Sequence, residues 1–333
     1  MNQSPLRILA RHGRPAEWAA LIVLLLMPAL AGDFVLVQIL CRTLILGLIA
    51  LGLTFLIGFA GIVSLAQMTI AGVAAYGVAI LTTSDAGLTW SLPFILAIPA
   101  ALLLAMAAAV LIGWLAVRTS GIYTIMITLA IAVVFFYFTR QNYAVFNGFT
   151  GFPQVLPPTV FGVNWGDPTP FYWLCLLPAL LGYWLVRHLV LTPFGLALQG
   201  MRDGERRLAA LGFNVHQHRI AAYAVAGFLA AMGGVLLVWF NTRIDPSTVG
   251  VQPVINILVI AVIGGVGHPV GAFVGALVFV LIDNFATDLI PGARERFNLL
   301  IGVVFLSIVV FSSDGLLGLW QRFARSVRDT EPD

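Results

Sequence analysis

The sequence contains no lysine: all 17 of its basic residues are arginine. That absence excludes whole chemistries. A P-loop needs the lysine of G-x-x-x-x-G-K-[ST] to reach the phosphates, and a Schiff-base enzyme needs a lysine amine. Any nucleotide-driven process this chain serves must therefore hold its nucleotide on another chain. The exclusion stands whatever the cause of the missing lysine. Charge of either sign is also scarce, 9% of 333 residues against roughly 25% in soluble domains. With 60% hydrophobic residues and a mean hydropathy of +1.01, a soluble globule could not cover its surface. The chain is read as an integral membrane protein; disorder, collagen and disulfide scaffolds are excluded by the same numbers. The two cysteines, Cys41 and Cys175, lie in apolar runs without metal-ligand spacing and read as inert buried thiols. The net charge of +3 comes from arginines at membrane edges, so no nucleic-acid partner is expected.

A helix crosses the hydrocarbon with about 20 apolar residues. Apolar runs at 17–31, 35–57, 62–81, 92–116, 121–139, 171–190, 220–240, 252–263, 270–283 and 297–312 are candidate spans. The two near 260 and 275 are short and read either as tilted spans or as arms of a re-entrant pair. Arg7, Arg11 and Arg14 precede the first run with no small-residue cleavage site after it, so it reads as a retained anchor. The fold class is thus all-α, a polytopic bundle of about 8–10 transmembrane helices with Gly-rich broken helices, forming one domain over 1–333.

Arginine placement orients the bundle. With the N-terminus (1–16) inside, the inner segments hold Arg7, Arg11, Arg14, Arg118, Arg187, Arg202, Arg206, Arg207, Arg219, Arg322, Arg325 and Arg328. The outer segments hold only Arg140, Arg243, Arg294 and Arg296. This positive-inside bias makes both termini, including the tail 313–333, cytoplasmic. Loop 140–170 is then periplasmic. Its aromatics suit either the outer membrane interface or an outside partner. Loop 191–219 is cytoplasmic and the most charged stretch in the chain. Within it, Glu205–Leu211 reads as a short helix with Leu208 and Leu211 three apart, ended by Gly212 at C′. A further helix is expected from Val215–Gln217. From composition alone, this element fits a partner's groove and a headgroup surface equally well.

Inside the spans, Gly58, Gly61 and Ser64 predict a helix break, as do Gly264, Gly265 and Gly267 ahead of His268 and Pro269. Breaks at membrane depth are tolerated only against protein or a water-filled cavity. Gly267, Gly271 and Gly275 recur every four residues and would let a second helix approach closely. The two regions are loosely alike, a hint of an internal repeat of the kind that borders a substrate path. Ser64, Gln67, Thr69, Thr124, Thr128 and Asn256 are the neutral polar residues suited to line such a path, or else to bond neighbouring helices. Arg42 is read as snorkelling to the outer interface. Asp283 and Asp288 are read as solvated charges near an outer edge. His216 and His218 alone do not make a metal site.

Four ordered stretches carry a family resemblance. GLALQGMRDGERRLAALGFNVHQHRIAAYAVAGFLAAMGG resembles the signature loop of the permease subunits of branched-chain amino-acid ABC importers, a family that also serves urea and amides. GLTFLIGFAGIVSLAQMTIAGVAAYG (52–77), RTSGIYTIMITLAIAVVF (118–135) and VIGGVGHPVGAFVGA (262–276) resemble its other conserved segments in order and spacing. The likeness covers roughly residues 35–312.

The resemblance implies that loop 191–219 holds the coupling helix, seated in a groove of an ATPase subunit. The matching positions are Arg202, Asp203, Gly204, Glu205, Arg206, Arg207, Ala209, Leu211 and Gly212. It further implies a second permease subunit, two cytoplasmic ATPases that bind the ATP, a periplasmic solute-binding protein, and no cofactor or catalytic residue on this chain. Membrane lipid is the remaining contact, and the plasma membrane the expected location. Two other classes fit the residues less well. A gradient-driven secondary transporter needs ionisable groups near the midplane, and no clearly central Asp, Glu or His is found. A membrane enzyme needs a gathered catalytic set, and no HExxH, GxSxG or paired carboxylates occur.

Overall fold

The computed structural model describes residues 14–82, 92–160 and 162–289, with 302, 303, 306, 315, 316 and 318. The chain is helical almost throughout. Helix α1 is Arg14–Leu30 and α2 is Val35–Ala60. Then follow α3 Gln67–Thr82, α4 Phe94–Ala116, α5 Ile122–Gln141 and the single turn α6 Tyr143–Phe146. The second half holds α7 Pro168–Leu191, α8 Pro193–Ala210, α9 Val215–Asn241, α10 Val251–Gly264 and α11 Pro269–Leu289. Among the described residues, α2, α4, α5, α7 and α9 are long and apolar enough to span a membrane. Helices α10 and α11 meet at a 116° bend, as the short runs near 260 and 275 foreshadow. The candidate span 297–312 and the Asp288 side chain lie outside the described residues.

Helices α2 and α9 form the centre. In their most apolar windows 89% and 67% of residues are buried within the chain, against 22–33% for α4, α5 and α7, whose outer faces are left for lipid or neighbouring subunits. Without a hydrophobic force between helices in lipid, close approach depends on small residues. Accordingly, a Cβ on Gly52 would fall 2.6 Å from the Ala226 carbonyl, and Cβ atoms on Gly227 and Gly234 would collide with Ala109 and the Ala71 backbone. These contacts draw α9 onto α2, α4 and α3.

Loop 140–170 packs at one end of the bundle. Phe146 and Phe152 meet the Tyr76 ring edge-to-face at 5.1 and 6.3 Å. Strand β1 (Phe152–Pro153) pairs antiparallel with β4 (Arg243–Ile244), after the hairpin strands β2 (Thr159–Val160) and β3 (Val163–Asn164). Tyr143 and Phe149 remain exposed. Both cysteines are free and buried.

The structure corrects four details. Helix α3 starts at Gln67, not 62, because Gly61 (φ 67°) ends α2 in the left-handed region and residues 61–66 stay irregular. The short helix expected at Glu205–Leu211 is present after a kink at Gly204, but an unforeseen helical stretch from Pro193 leads into it. Gly267 sits in the turn before α11, with nothing near its Cβ position, so only Gly271 and Gly275 serve close helix packing. Asp283 is not a solvated charge, and Arg42 does not simply snorkel: the two form an ion pair at 2.5 Å between α11 and α2. A charge inside an apolar bundle is costly unless paired, and these two pair with each other.

Candidate functional site: the α8 segment and the helix breaks

Thr192 caps α8, accepting from the Gly195 N–H, and Pro193 occupies the first turn, where its missing N–H costs nothing. The first half of α8 is anchored: Ala197, Leu198, Gln199 and Met201 are buried. At Gly204 the backbone becomes extended and the helix is interrupted (φ −177°, ψ 82°). The turn that follows ends in a Schellman motif. Phe213 N–H bonds Leu208 O (3.3 Å), Gly212 N–H bonds Ala209 O (3.0 Å), and Gly212 takes φ 88° at C′. Glu205, Arg206, Arg207, Ala209, Leu211 and Gly212 are exposed, and Leu211 is 75% accessible, an apolar side chain held out from the body.

Two arginines tie this projecting turn to the bundle. Arg219, at the start of α9, donates to Glu205 at 2.8 Å and is largely buried. Arg202, which also pairs with Asp203 at 3.2 Å, donates from Nη1 to the carbonyl of Gly58. That carbonyl lies in the last turn of α2 (Leu56–Ala60 is π-helical), where helix carbonyls lack intrahelical partners and attract cations. A Cβ on Gly61 would sit 2.7 Å from Arg202 Cγ, and one on Gly58 would strike the Val266 carbonyl. The α8 segment, the break at 58–66 and the turn between α10 and α11 are therefore in direct contact. At that turn Gly264 abuts Gly271 and Gly275 backbone to backbone, and Gly265 takes φ 102°.

Of the candidate path residues, the structure gathers three. Thr128 accepts from the buried Leu65 N–H (3.1 Å) and donates to Thr124 O (2.9 Å). Ser64, fully buried, accepts from Ala66 N–H at 3.4 Å, and Thr124 bonds Thr119 at 3.2 Å. These bonds hold the irregular 61–66 segment against α5. Gln67 and Thr69 are buried with side-chain polar atoms that have no hydrogen-bond partner. Asn256 is separate: it bonds Gln252 one turn away on α10. His218 is packed between Phe194 and Phe213, and among the described residues no cluster of metal-ligating side chains occurs.

Sequence reasoning gave Arg219 only a place among the inner arginines and did not single out Tyr223. Arg219 and Tyr223 line a cleft of about 200 Å³ beside Gly61, Thr119, Gly121 and Thr124. A basic residue in the first turn of a span, one helical turn before a tyrosine, was the available signal.

A bundle of apolar helices with two glycine breaks, one of them clasped by an arginine from an exposed charged helix, is the architecture of a polytopic membrane protein. The chain belongs to the family described as branched-chain amino acid transport system / permease component, whose profile matches residues 35–309. It is 24% identical to the high-affinity branched-chain amino acid transport system permease protein LivM of Escherichia coli (92% of this chain, 77% of that one). It is 23% identical to the ribose import permease protein RbsC of Haemophilus influenzae (91% and 93%). It is 27% identical to a probable LivM of Methanocaldococcus jannaschii over 44% of this chain and 46% of that one. No solved structure matches. The chain is the permease component of an ABC importer and a multi-pass inner-membrane protein.

Proposed function

We propose that this chain forms one half of the translocation path for branched-chain amino acids or a similar small polar solute. A periplasmic binding protein delivers the solute. Two cytoplasmic ATPase subunits bind and hydrolyse the ATP, and a second, non-identical permease subunit completes the pore. Both termini face the cytoplasm. The turn from Glu205 to Gly212 docks on an ATPase. The Arg/Glu cluster sets register and partner choice, and exposed Leu211 fills an apolar pocket there.

The observation that carries the reading is the Arg202–Gly58 contact. An inward push on the docked turn loads the last turn of α2, and through it the 264–268 turn that Gly58 abuts. Both breaks then shift together, and the polar residues Ser64, Gln67, Thr69, Thr124 and Thr128 border the path that opens. Asn256 lines it from the surface of α10, against the second permease. Relatives named for branched-chain amino acid transport support the solute class. Deletion of Arg202–Gly212 tests the docking: the variant should insert in the membrane yet fail to retain ATPase in a pull-down. Retained association overturns it.

A further inference from the structure

The cleft beside the α8 segment combines features that the coupling reading does not use. Arg219 has five N–H donors. One meets Glu205 (2.8 Å), while the buried Nε has no hydrogen-bond partner. Tyr223, one turn further along α9, is fully buried, with its hydroxyl beside Ser64 and Arg219. Both residues line the cleft. Opposite them α5 begins at Gly121, which offers no side-chain cap, and Ser120, Gly121 and Thr124 of that terminus line the same space. A 20-residue helix directs its positive end there. Among the described residues Glu205 is the acidic group paired with Arg219.

A buried guanidinium N–H without an acceptor and an uncapped helix N-terminus select an anion. The remaining wall is aliphatic, with Ile62, Val63, Val117 and Ile125, which favours an anion with a hydrocarbon tail over a bare phosphate. At about 200 Å³ the space is smaller than the roughly 300–1,000 Å³ of drug-sized pockets, so the occupant is small.

We infer that this cleft is a binding site for a short aliphatic carboxylate. The carboxylate takes the Arg219 guanidinium and the Tyr223 hydroxyl, and the tail lies on the aliphatic wall. The ligand competes with Glu205 for Arg219, so occupancy loosens the tie between α8 and α9. Binding itself does not depend on the coupling reading; only its consequence for transport rests on that reading.

The test uses the full-length chain in lipid nanodiscs, without ATPase, titrated with isovalerate and followed by saturation-transfer NMR. Saturable binding is expected, with no competition from uncharged isopentanol. Arg219→Gln should weaken it about tenfold or more, as befits a lost charge-assisted bond. Tyr223→Phe should weaken it severalfold. Glu205→Gln should tighten it, because it frees Arg219 and removes a like charge. The last two variants keep the test decisive if Arg219→Gln does not fold. Absent saturable binding, equal competition by isopentanol, or affinity indifferent to Glu205→Gln and Tyr223→Phe overturns the site. Since no ATPase is present, such a failure leaves the coupling reading standing, and failure of the Arg202–Gly212 deletion test leaves the site standing.

Discussion

The Arg202 guanidinium, on an exposed charged helix, bonds the carbonyl of Gly58, 144 residues earlier in the chain. The bond joins the exposed, charged end of α8 to the π-helical last turn of the most buried helix. Gly58 has no room for a side chain because the Val266 carbonyl lies behind it. Two adjacent contacts, Arg202 to Gly58 and Gly58 to Val266, thus connect α8 with both helix breaks.

The glycines at the second break should rank by space. Gly275→Ala and Gly264→Ala place a methyl into backbone atoms of the facing helix. Each should cost about 1–3 kcal/mol, the range for overpacking, read as a lower thermal midpoint in detergent. Gly267→Ala meets nothing within 4 Å and should leave the midpoint unchanged. Equal effects at Gly267 and Gly275 would contradict the packing described.

The Arg42–Asp283 pair, with side chains 29% and 24% accessible, should be worth more to its partners than to the fold. Removing one charge strands the other, so Arg42→Met or Asp283→Leu alone should destabilise by about 1–3 kcal/mol, below the cost for a fully buried pair. The double variant should recover most of that loss. A double-mutant cycle in thermal unfolding reads the difference; simple additivity would count against the pair.

Thr128 is the one side chain bonding the Leu65 N–H among the described residues. Thr128→Val keeps the shape and strands that buried donor, at a cost of about 1–3 kcal/mol. Amide exchange at 62–66 should speed up, while exchange in the middle of α9 stays slow. Unchanged exchange at 62–66 would show that the segment is held otherwise.

Much of this architecture could be read from residues. Apolar runs located the long spans, and Gly212 was recognisable as a helix terminator because a left-handed C′ residue follows a Leu-x-x-Leu turn. Gly58 and Gly264 announced the breaks. What was not legible depends on partners distant in sequence. Asp283 looked solvated because its depth and its partner Arg42 belong to the three-dimensional arrangement, not to the local run. The extent of α8 was hidden because its apolar anchors, Ala197, Leu198 and Met201, are few and interrupted by polar residues. The α3 start was misplaced because apolar Ile62, Val63 and Leu65 continue the hydrophobic run through a stretch whose backbone is set by Gly61. Nothing in the sequence alone pointed Arg202 at Gly58.

Coupling through that contact is tested most directly by Arg202→Gln in proteoliposomes carrying the whole importer, with solute uptake and ATP hydrolysis measured on the same preparation. The account predicts that ATPase subunits stay bound and hydrolysis persists, while uptake per ATP falls about tenfold or more, as expected for the loss of a charge-assisted bond. An unchanged ratio of uptake to hydrolysis would contradict it.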